Sequence, residues 1–170
     1  MAEISVLVAL ATVLFYFKLY TFPQGGEITF GSMTPILLLA LRRGVKVGVT
    51  AGFVFSLIVL ALEPMVYYPA QFLLDYPLAF GSLGLAGLFR GRGLSGAEAG
   101  VALGIGSRFV WHFLSGIIFF ASFTPVGQSS VLYSAIYNAS YLLPEMAISG
   151  AAMVVLVRRG IVESRIRKDQ

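Results

Sequence analysis

The chain contains no cysteine and only one histidine in 170 residues. Disulfide bonds and thiol chemistry are therefore excluded, although the lack of cysteine does not identify a compartment. Charged residues are also scarce, at 12% of the chain against about 25% in ordinary soluble domains. The phosphate-binding pattern G-x-x-x-x-G-K-[ST] does not occur, so any ATP hydrolysis is expected to come from another protein.

Hydrophobic residues make up 58% of the chain, and the mean hydropathy is +0.86. These values predict an all-α integral membrane protein with one domain over residues 1–170, ending in a basic tail over residues 158–170. Hydrophobic runs predict six transmembrane helices, at residues 2–22, 28–41, 45–62, 70–89, 97–123 and 130–157.

Basic residues are distributed unevenly between the predicted loops. In a six-helix topology, ten of the twelve lie on the side of the two termini, Lys18 lies on the other side, and Arg108 falls within a helix. Cytoplasmic loops carry the excess of lysine and arginine, so both termini are predicted to be cytoplasmic. The ten residues are Arg42, Arg43, Lys46, Arg90, Arg92, Arg158, Arg159, Arg165, Arg167 and Lys168. Because these charges flank the membrane, we do not expect the chain to bind nucleic acid.

The second hydrophobic run is irregular, since Pro23 and several glycines precede it. Thr34 and Pro35 are typical of a helix N-cap and a first helical residue. A helix from Pro35 to Leu41 would be about 10 Å long, against about 30 Å for the hydrocarbon core, so it cannot cross alone. The preceding segment is predicted to form a non-helical lid over the outer half of the protein. A plain extracellular loop is the alternative.

Four ionisable residues lie within the apolar stretches: Asp75, Arg108, His112 and Glu145. Such residues are costly in a membrane and usually mark a functional site. Counting about 1.5 Å per residue from the outer helix ends places Asp75, His112, Tyr133 and Asn138 in the outer half. They come from three helices, which predicts a shared outward-facing pocket for a small molecule. Alternatively, Asp75 and His112 are satisfied inside the protein, and Asn138 only links helices.

Arg108 and His112 are four residues apart and share a helix face. Glu145 falls at about the same depth as Arg108 when rises of 1.5 Å per residue are counted. Because a buried charge costs far less beside a partner, an ion pair between Arg108 and Glu145 is predicted beneath the pocket. Asp75 together with the rings of Phe120 and Tyr133 favours an organic cation as the ligand.

Four stretches resemble the thiamine-specific substrate-binding (S) components of energy-coupling-factor (ECF) transporters. They are PQGGEITFGSMTPILLLALRRG at 23–44, QFLLDYPLAFGSLGLAGLFR at 71–90, RFVWHFLSGIIFF at 108–120 and LYSAIYN at 132–138. The resemblance implies a six-helix protein of a prokaryotic plasma membrane that captures thiamine from outside, beneath a lid between helices 1 and 2. It implies no catalytic residue, no metal and no cofactor.

By position, the resemblance also implies seven substrate-binding residues: Asp75, Tyr76, Arg108, His112, Phe120, Tyr133 and Asn138. Asp75 would face the thiazolium cation with Tyr76 beside it, and His112 would lie against a ligand ring. Tyr133 and Asn138 would hold polar groups of the ligand. Some members have glutamate in place of Asp75 or tryptophan in place of Phe120, and both departures are compatible with weaker binding or a shifted ligand.

Transporters of this family also contain a transmembrane T component and two cytoplasmic ATP-binding subunits, which the resemblance implies as partners. The family docks through small residues on helix 1, which correspond here to Ser5 and Ala9. Substrate loading is expected to close the lid, and the complex is then expected to reorient the S component for inward release.

Three alternatives stay open at this point. One is an S component for another vitamin, such as riboflavin, or for a pyrimidine precursor. The second is an intramembrane hydrolase that uses Ser107 or Ser115 with His112, although no G-x-S-x-G motif occurs and only Ser115 shares the helix face of His112. The third is a structural membrane subunit without a ligand.

Overall fold

Six helices follow one another in the computed structural model, which describes residues 2–162. They are α1 Ala2–Tyr16, α2 Thr34–Arg43, α3 Val45–Leu62, α4 Pro69–Phe89, α5 Gly93–Phe119 and α6 Ser130–Arg158. The predicted six-helix, all-α fold is confirmed. The predicted cytoplasmic residues Arg165, Arg167 and Lys168 lie outside the described residues.

The four helices from α3 to α6 are long and apolar enough to cross a membrane. The longest, α6, has 29 residues, or about 44 Å at 1.5 Å per residue. That exceeds the hydrocarbon core of about 30 Å. The apolar α1 is shorter, at 15 residues. The chain is therefore a multi-pass membrane protein.

A two-stranded antiparallel sheet joins α1 to α2, with β1 at Lys18–Thr21 and β2 at Glu27–Thr29. The first hydrophobic run was predicted to be helical to residue 22, which is wrong, because α1 ends at Tyr16. Gly25 has a φ of 82°, a conformation that favours glycine and allows the tight turn between the strands. The predicted non-helical segment is thus a β-hairpin.

Helix α2 occupies the centre of the bundle. All residues from Thr34 to Leu41 are buried, because α2 packs against each of the other five helices. A helix that is apolar on all sides fits such a position. The proline near the first turn is confirmed, but Thr34 is not the N-cap: that residue is Met33, and the Thr34 hydroxyl donates to Oγ of Ser149 at 3.2 Å.

Helix α4 changes its winding along its length. A regular turn at Pro69–Leu73 is followed by a π-helical turn at Leu74–Leu78, and the helix ends as a 3₁₀ helix at Ser82–Phe89. Pro77 lies inside the π turn and has no N–H to continue a regular hydrogen-bond ladder. Single π turns occur often at functional sites, and this one contains Asp75.

The backbones of α3 and α4 approach closely at two glycines. A Cβ atom on Gly84 would lie 2.2 Å from the backbone N of Val49, and one on Gly52 would lie 2.2 Å from the carbonyl O of Phe80. Glycine at both positions therefore allows the two helix backbones to come into direct contact. Gly106 differs, because a Cβ there would meet nothing within 4 Å.

Ion pairs at one end of the bundle tie α1 to α2. Oε1 of Glu3 lies 2.7 Å from Nε of Arg42, and Nε of Arg43 donates to Oε2 of Glu3 at 2.7 Å. Arg42 also donates to the carbonyl O of Ile161, beyond the end of α6. The start of α1 and the end of α6 therefore lie at the same end, as the predicted topology requires.

One face of α1 is exposed along its length. Ser5 and Ala9 lie on it, beside Val6 and Val13, whose side chains are 65% and 53% exposed. Small residues between exposed apolar ones permit close approach of another helix. Docking through Ser5 and Ala9 stays a prediction.

Candidate ligand-binding site

A cavity of about 310 Å³ lies between the hairpin and the outer halves of the helices. Its volume falls within the range of small-molecule pockets, which starts at about 300 Å³. The structure brings all seven predicted substrate-binding residues to its wall: Asp75, Tyr76, Arg108, His112, Phe120, Tyr133 and Asn138. Their contact with a ligand stays a prediction.

Asp75 is held by side chains from two helices. Its Oδ1 lies 3.1 Å from Nδ1 of His112 on α5, and its Oδ2 accepts a hydrogen bond from Nε2 of Gln71 at 2.9 Å. Nε of Arg108 donates to Nε2 of the same histidine at 3.1 Å. Both Asp75 and His112 keep 13% of their side chains exposed to the cavity. His112 and Gln71 thus orient the carboxylate, while part of Asp75 remains exposed to the cavity.

Arg108 and Glu145 do not form the predicted ion pair. The guanidinium of Arg108 lies over the ring of Phe80, 4.0 Å from its centroid, and Nη1 contacts Sδ of Met33 at 2.9 Å. Glu145 instead accepts two hydrogen bonds from Thr29 of the hairpin. Counting depth along the helices correctly predicted that both residues reach one cavity, but each contacts a different group there: Arg108 contacts Phe80 and Met33, and Glu145 binds Thr29 through Oε1.

Asn138 is tied into the packing of α5 against α6. Its Nδ2 donates to the carbonyl O of Ser134 at 2.9 Å and of His112 at 3.3 Å, and its Oδ1 accepts from the Tyr141 hydroxyl at 2.6 Å. The interpretation of Asn138 as a link between helices is therefore realised in the structure. The residue nevertheless lines the cavity and can present part of its amide there.

Tyr76 has a second role that the sequence did not indicate. Its hydroxyl accepts from the backbone N–H of Met65 at 2.9 Å and donates to the carbonyl O of Glu63 at 3.1 Å. The loop between α3 and α4 is fixed by these bonds while the ring lines the cavity.

The hairpin covers the cavity through contacts to α6. The ring of Phe22 meets Tyr137 edge-on, with centroids 5.9 Å apart, and lies 6.2 Å from the ring of Tyr141. The backbone N–H of Gly26 donates to the Tyr137 hydroxyl at 3.0 Å. These contacts give the hairpin the position that was predicted for a lid.

Lys18 joins the hairpin to the end of α3. Its Nζ lies 2.7 Å from Oε1 of Glu27 on β2 and forms a second ion pair with Glu63. Burial lowers the pKa of Lys18, but the hydrogen bonds to both carboxylates outweigh this effect, and the pKa lies above its ordinary value. Burial raises the pKa of Glu27, against the influence of Lys18. The lid is thus held closed partly by charge.

Negative charge predominates on the cavity wall. The four carboxylates are Asp75, Glu145, Glu27 and Glu63, and the two fixed cations are Lys18 and Arg108. With a neutral histidine, as the hydrogen bond from Arg108 requires, the formal charges of these six residues sum to −2. Such a wall attracts a cation more than an anion.

Several cavity residues were missed by sequence reasoning. Tyr137 and Tyr141 were not predicted, although with Tyr133 and Glu145 they are spaced four residues apart along α6, and all four line the cavity. This spacing places side chains on one helix face and was a usable signal. Gln71 gave no such signal, because a glutamine near a helix end is usually solvated.

Ser115 does not form the arrangement that a hydrolase needs. Its hydroxyl is buried in the cavity wall and has no hydrogen-bond partner within residues 2–162. Both ring nitrogens of His112 are engaged by Asp75 and Arg108, so neither activates Ser115.

Comparison with known proteins places the chain in a family. The model of the thiamine transporter protein family (Thia_YuaJ) matches residues 1–162. The thiamine transporter ThiT of Bacillus subtilis (strain 168) is 32% identical over 169 residues, covering 91% of this chain and 88% of that protein. The thiamine transporter ThiT of Lacticaseibacillus paracasei is 30% identical over 172 residues, covering 91% of this chain and 85% of that protein.

A solved structure of ThiT from Listeria monocytogenes has the same fold. Its TM-score to this chain is 0.84 at 23% sequence identity, and the match covers 93% of this chain and 92% of that one. The family match extends over nearly the whole sequence and agrees with the fold. This chain therefore belongs to the thiamine transporter protein family (Thia_YuaJ).

Proposed function

We propose that this chain is the thiamine-binding S component of an ECF-type uptake transporter, and that it captures thiamine on the outer side of the membrane. As a member of its family it is a multi-pass prokaryotic membrane protein that transports rather than catalyses. The observation that carries the proposal is the cavity around Asp75: the hairpin covers it, aromatic rings line it, and carboxylates outnumber cations on its wall.

The chemistry of thiamine matches this cavity. Thiamine combines a permanently charged thiazolium ring with a neutral aminopyrimidine ring. Asp75 supplies a carboxylate for the cation, and the rings of Phe120 and Tyr133 supply aromatic faces, each worth about 0.5 to 2 kcal/mol beside a cation. Tyr76, His112, Arg108 and Asn138 complete the proposed set of substrate-binding residues.

The proposed partners are a transmembrane T component and two ATP-binding subunits. The exposed face of α1 around Ser5 and Ala9 supports docking by another helix. Leucine at both positions should leave thiamine binding unchanged and abolish assembly with the partners and transport in vesicles. Undiminished assembly of that double variant would remove Ser5 and Ala9 from the proposed interface.

Calorimetric titration of thiamine into the purified chain tests the binding function directly. We expect one-to-one binding of about −12 kcal/mol, which corresponds to nanomolar affinity, and no heat with riboflavin. Asp75→Asn should weaken thiamine binding at least about tenfold, because the cation loses its charged partner. The matched control is Glu98→Gln, which neutralises an acid on α5 outside the cavity wall.

Two results would contradict the proposal. A folded wild-type chain that binds no thiamine would leave the family match as evidence of fold alone. Tight binding that Asp75→Asn leaves unchanged would move the cation site elsewhere in the cavity.

A further inference from the structure

Glu145 lines the cavity and has one carboxylate oxygen without a hydrogen-bond partner in the described residues. The residue is only 2% exposed and lines the cavity floor on α6. Its Oε1 accepts hydrogen bonds from the backbone N–H and the hydroxyl of Thr29, the latter at 2.6 Å. Its Oε2 is buried and has no hydrogen-bond partner in the described part of the chain.

Such a half-satisfied carboxylate needs an explanation. Leaving a buried acceptor without a donor is destabilising, and more so for a charged group. The nearby cation, Arg108, is directed to His112, Met33 and the ring of Phe80 instead. Within residues 2–162, no side chain is therefore positioned to donate to Oε2, although Glu145 lines the cavity that a ligand would fill.

We propose that Oε2 of Glu145 accepts a hydrogen bond from an amine or hydroxyl group of the bound ligand. This inference rests on the proposed function, and thiamine carries one amine and one hydroxyl that can donate. Asp75 and Glu145 lie on different helices and then have different tasks: Asp75 faces the cation, and Glu145 recognises a neutral donor.

The same carboxylate connects the ligand to the lid. Thr29 ends β2, and its hydroxyl is oriented by the backbone N–H of Ser32, which donates to Oγ1 at 3.0 Å. One oxygen of Glu145 is thus held by the hairpin, while the other has no donor in the described residues. A bound donor fixes the carboxylate in the orientation that Thr29 requires, so occupancy of the site and closure of the hairpin support each other.

The first test is titration of Glu145→Gln with thiamine and with two analogues. The glutamine keeps the size and the acceptor for Thr29, but directs an N–H₂ donor at the ligand in place of an acceptor. We expect at least tenfold weaker thiamine binding. One analogue has a 4-oxo group in place of the pyrimidine amine, and the other lacks the hydroxyl on the thiazolium side chain. The loss of affinity caused by Glu145→Gln should shrink to less than threefold for whichever analogue lacks the donor that Glu145 contacts.

The second test is the rate of thiamine release. Thr29→Val removes the hydroxyl donor to Oε1 while it keeps the backbone N–H donor and the shape of the side chain, and we expect release to become at least threefold faster. Glu98→Gln is again the matched control and should behave as wild type in both tests. Should Glu145→Gln fail to fold, Glu145→Asp replaces it, because it keeps the charge and withdraws the oxygens by one methylene.

The outcomes are distinguishable from failure of the proposed function. A folded wild-type chain that does not bind thiamine overturns both. Wild-type binding with an unchanged Glu145→Gln variant overturns only this inference, and so does an equal loss with thiamine and both analogues, which would assign Glu145 a purely structural role.

Discussion

His112 and Asp75 are joined across two helices, with Nδ1 of the imidazole 3.1 Å from Oδ1 of the carboxylate. On the other side of the ring, Nε2 accepts a hydrogen bond from Nε of Arg108, a group that can only donate. The proton of His112 must therefore reside on Nδ1, and the ring is neutral. The pair orients Asp75 without cancelling its charge.

The tautomer of His112 can be tested directly, because it is the only histidine in the chain. In ¹⁵N-histidine-labelled protein freed of any purification tag, we expect one imidazole with a protonated Nδ1 and an unprotonated Nε2. Arg108→Gln should allow both tautomers, since the amide can rotate to donate or accept. A protonated Nε2 in the wild type would contradict the hydrogen-bond arrangement at the site.

Lys18 is expected to slow the release of thiamine. Lys18→Met leaves Glu27 and Glu63 facing one another without a cation, so release should become about threefold to tenfold faster. Adding Glu27→Gln to that variant should restore most of the slow release, because it removes the repulsion. The control Lys46→Met changes an exposed lysine on α3 at the opposite end and should have no effect.

The pH dependence of this ion pair has a defined sign. Because the pKa of Lys18 is raised in the folded protein, the stabilisation that its ion pairs give the folded protein is fully present below the ordinary lysine value of 10.5. It is lost as the pH rises through the pKa of the folded protein.

Release that is unchanged in Lys18→Met would show that the lid is held by its aromatic contacts alone.

A tryptophan at position 120 should strengthen binding. Phe120 lines the cavity near its mouth, with its ring 5.6 Å from that of Tyr67. Tryptophan is the better face for a cation, so Phe120→Trp is expected to lower the Kd for thiamine about twofold to tenfold. Phe119→Trp is the control, because Phe119 stacks on Tyr68 and does not line the cavity. Equal gains in both variants would indicate a general effect of the added ring.

Gly84→Ala should destabilise the protein. Its Cβ would collide with the backbone of Val49, which cannot move aside as a flexible side chain can. Overpacking of this kind costs about 1 to 3 kcal/mol, which should appear as a lower Tm in detergent. Gly106→Ala is the matched control, because its Cβ meets open space and alanine is the better helix former. If both variants melt alike, the close contact of α3 and α4 is not a source of stability.

Much of the cavity was predictable from the sequence because charges are rare in apolar helices. Asp75, Arg108 and His112 stood out for that reason, and their helices followed from the hydrophobic runs. Counting along a helix gives the depth of a side chain, but not the direction in which it points around the helix axis. The predicted Arg108–Glu145 pair was wrong for this reason, since Thr29 and Phe80 are the groups that face these side chains.

Local backbone geometry was less accessible to sequence reasoning. Pro77 in an apolar run permits a kink, a bulge or a π turn, and only the packing of α4 selects the π turn at Leu74–Leu78. The hairpin pairing of Lys18–Thr21 with Glu27–Thr29 was likewise not predictable, because both segments are short and β2 is stabilised by contacts with α6, which is distant in sequence.

The hairpin between α1 and α2 bonds its own backbone, with Tyr20 opposite Ile28 and Thr21 opposite Glu27. An unpaired loop at this depth would have to find new partners for its amide groups on each excursion, at about 1 to 3 kcal/mol for every group left without one. A hairpin whose strands pair with each other keeps these hydrogen bonds when it moves. We therefore expect it to move as a folded unit, without unfolding and refolding. Opening of the hairpin then requires that its contacts with α6 break, including the bonds from the backbone N–H groups of Gly26 and Thr29, while the pairing of its own strands stays intact.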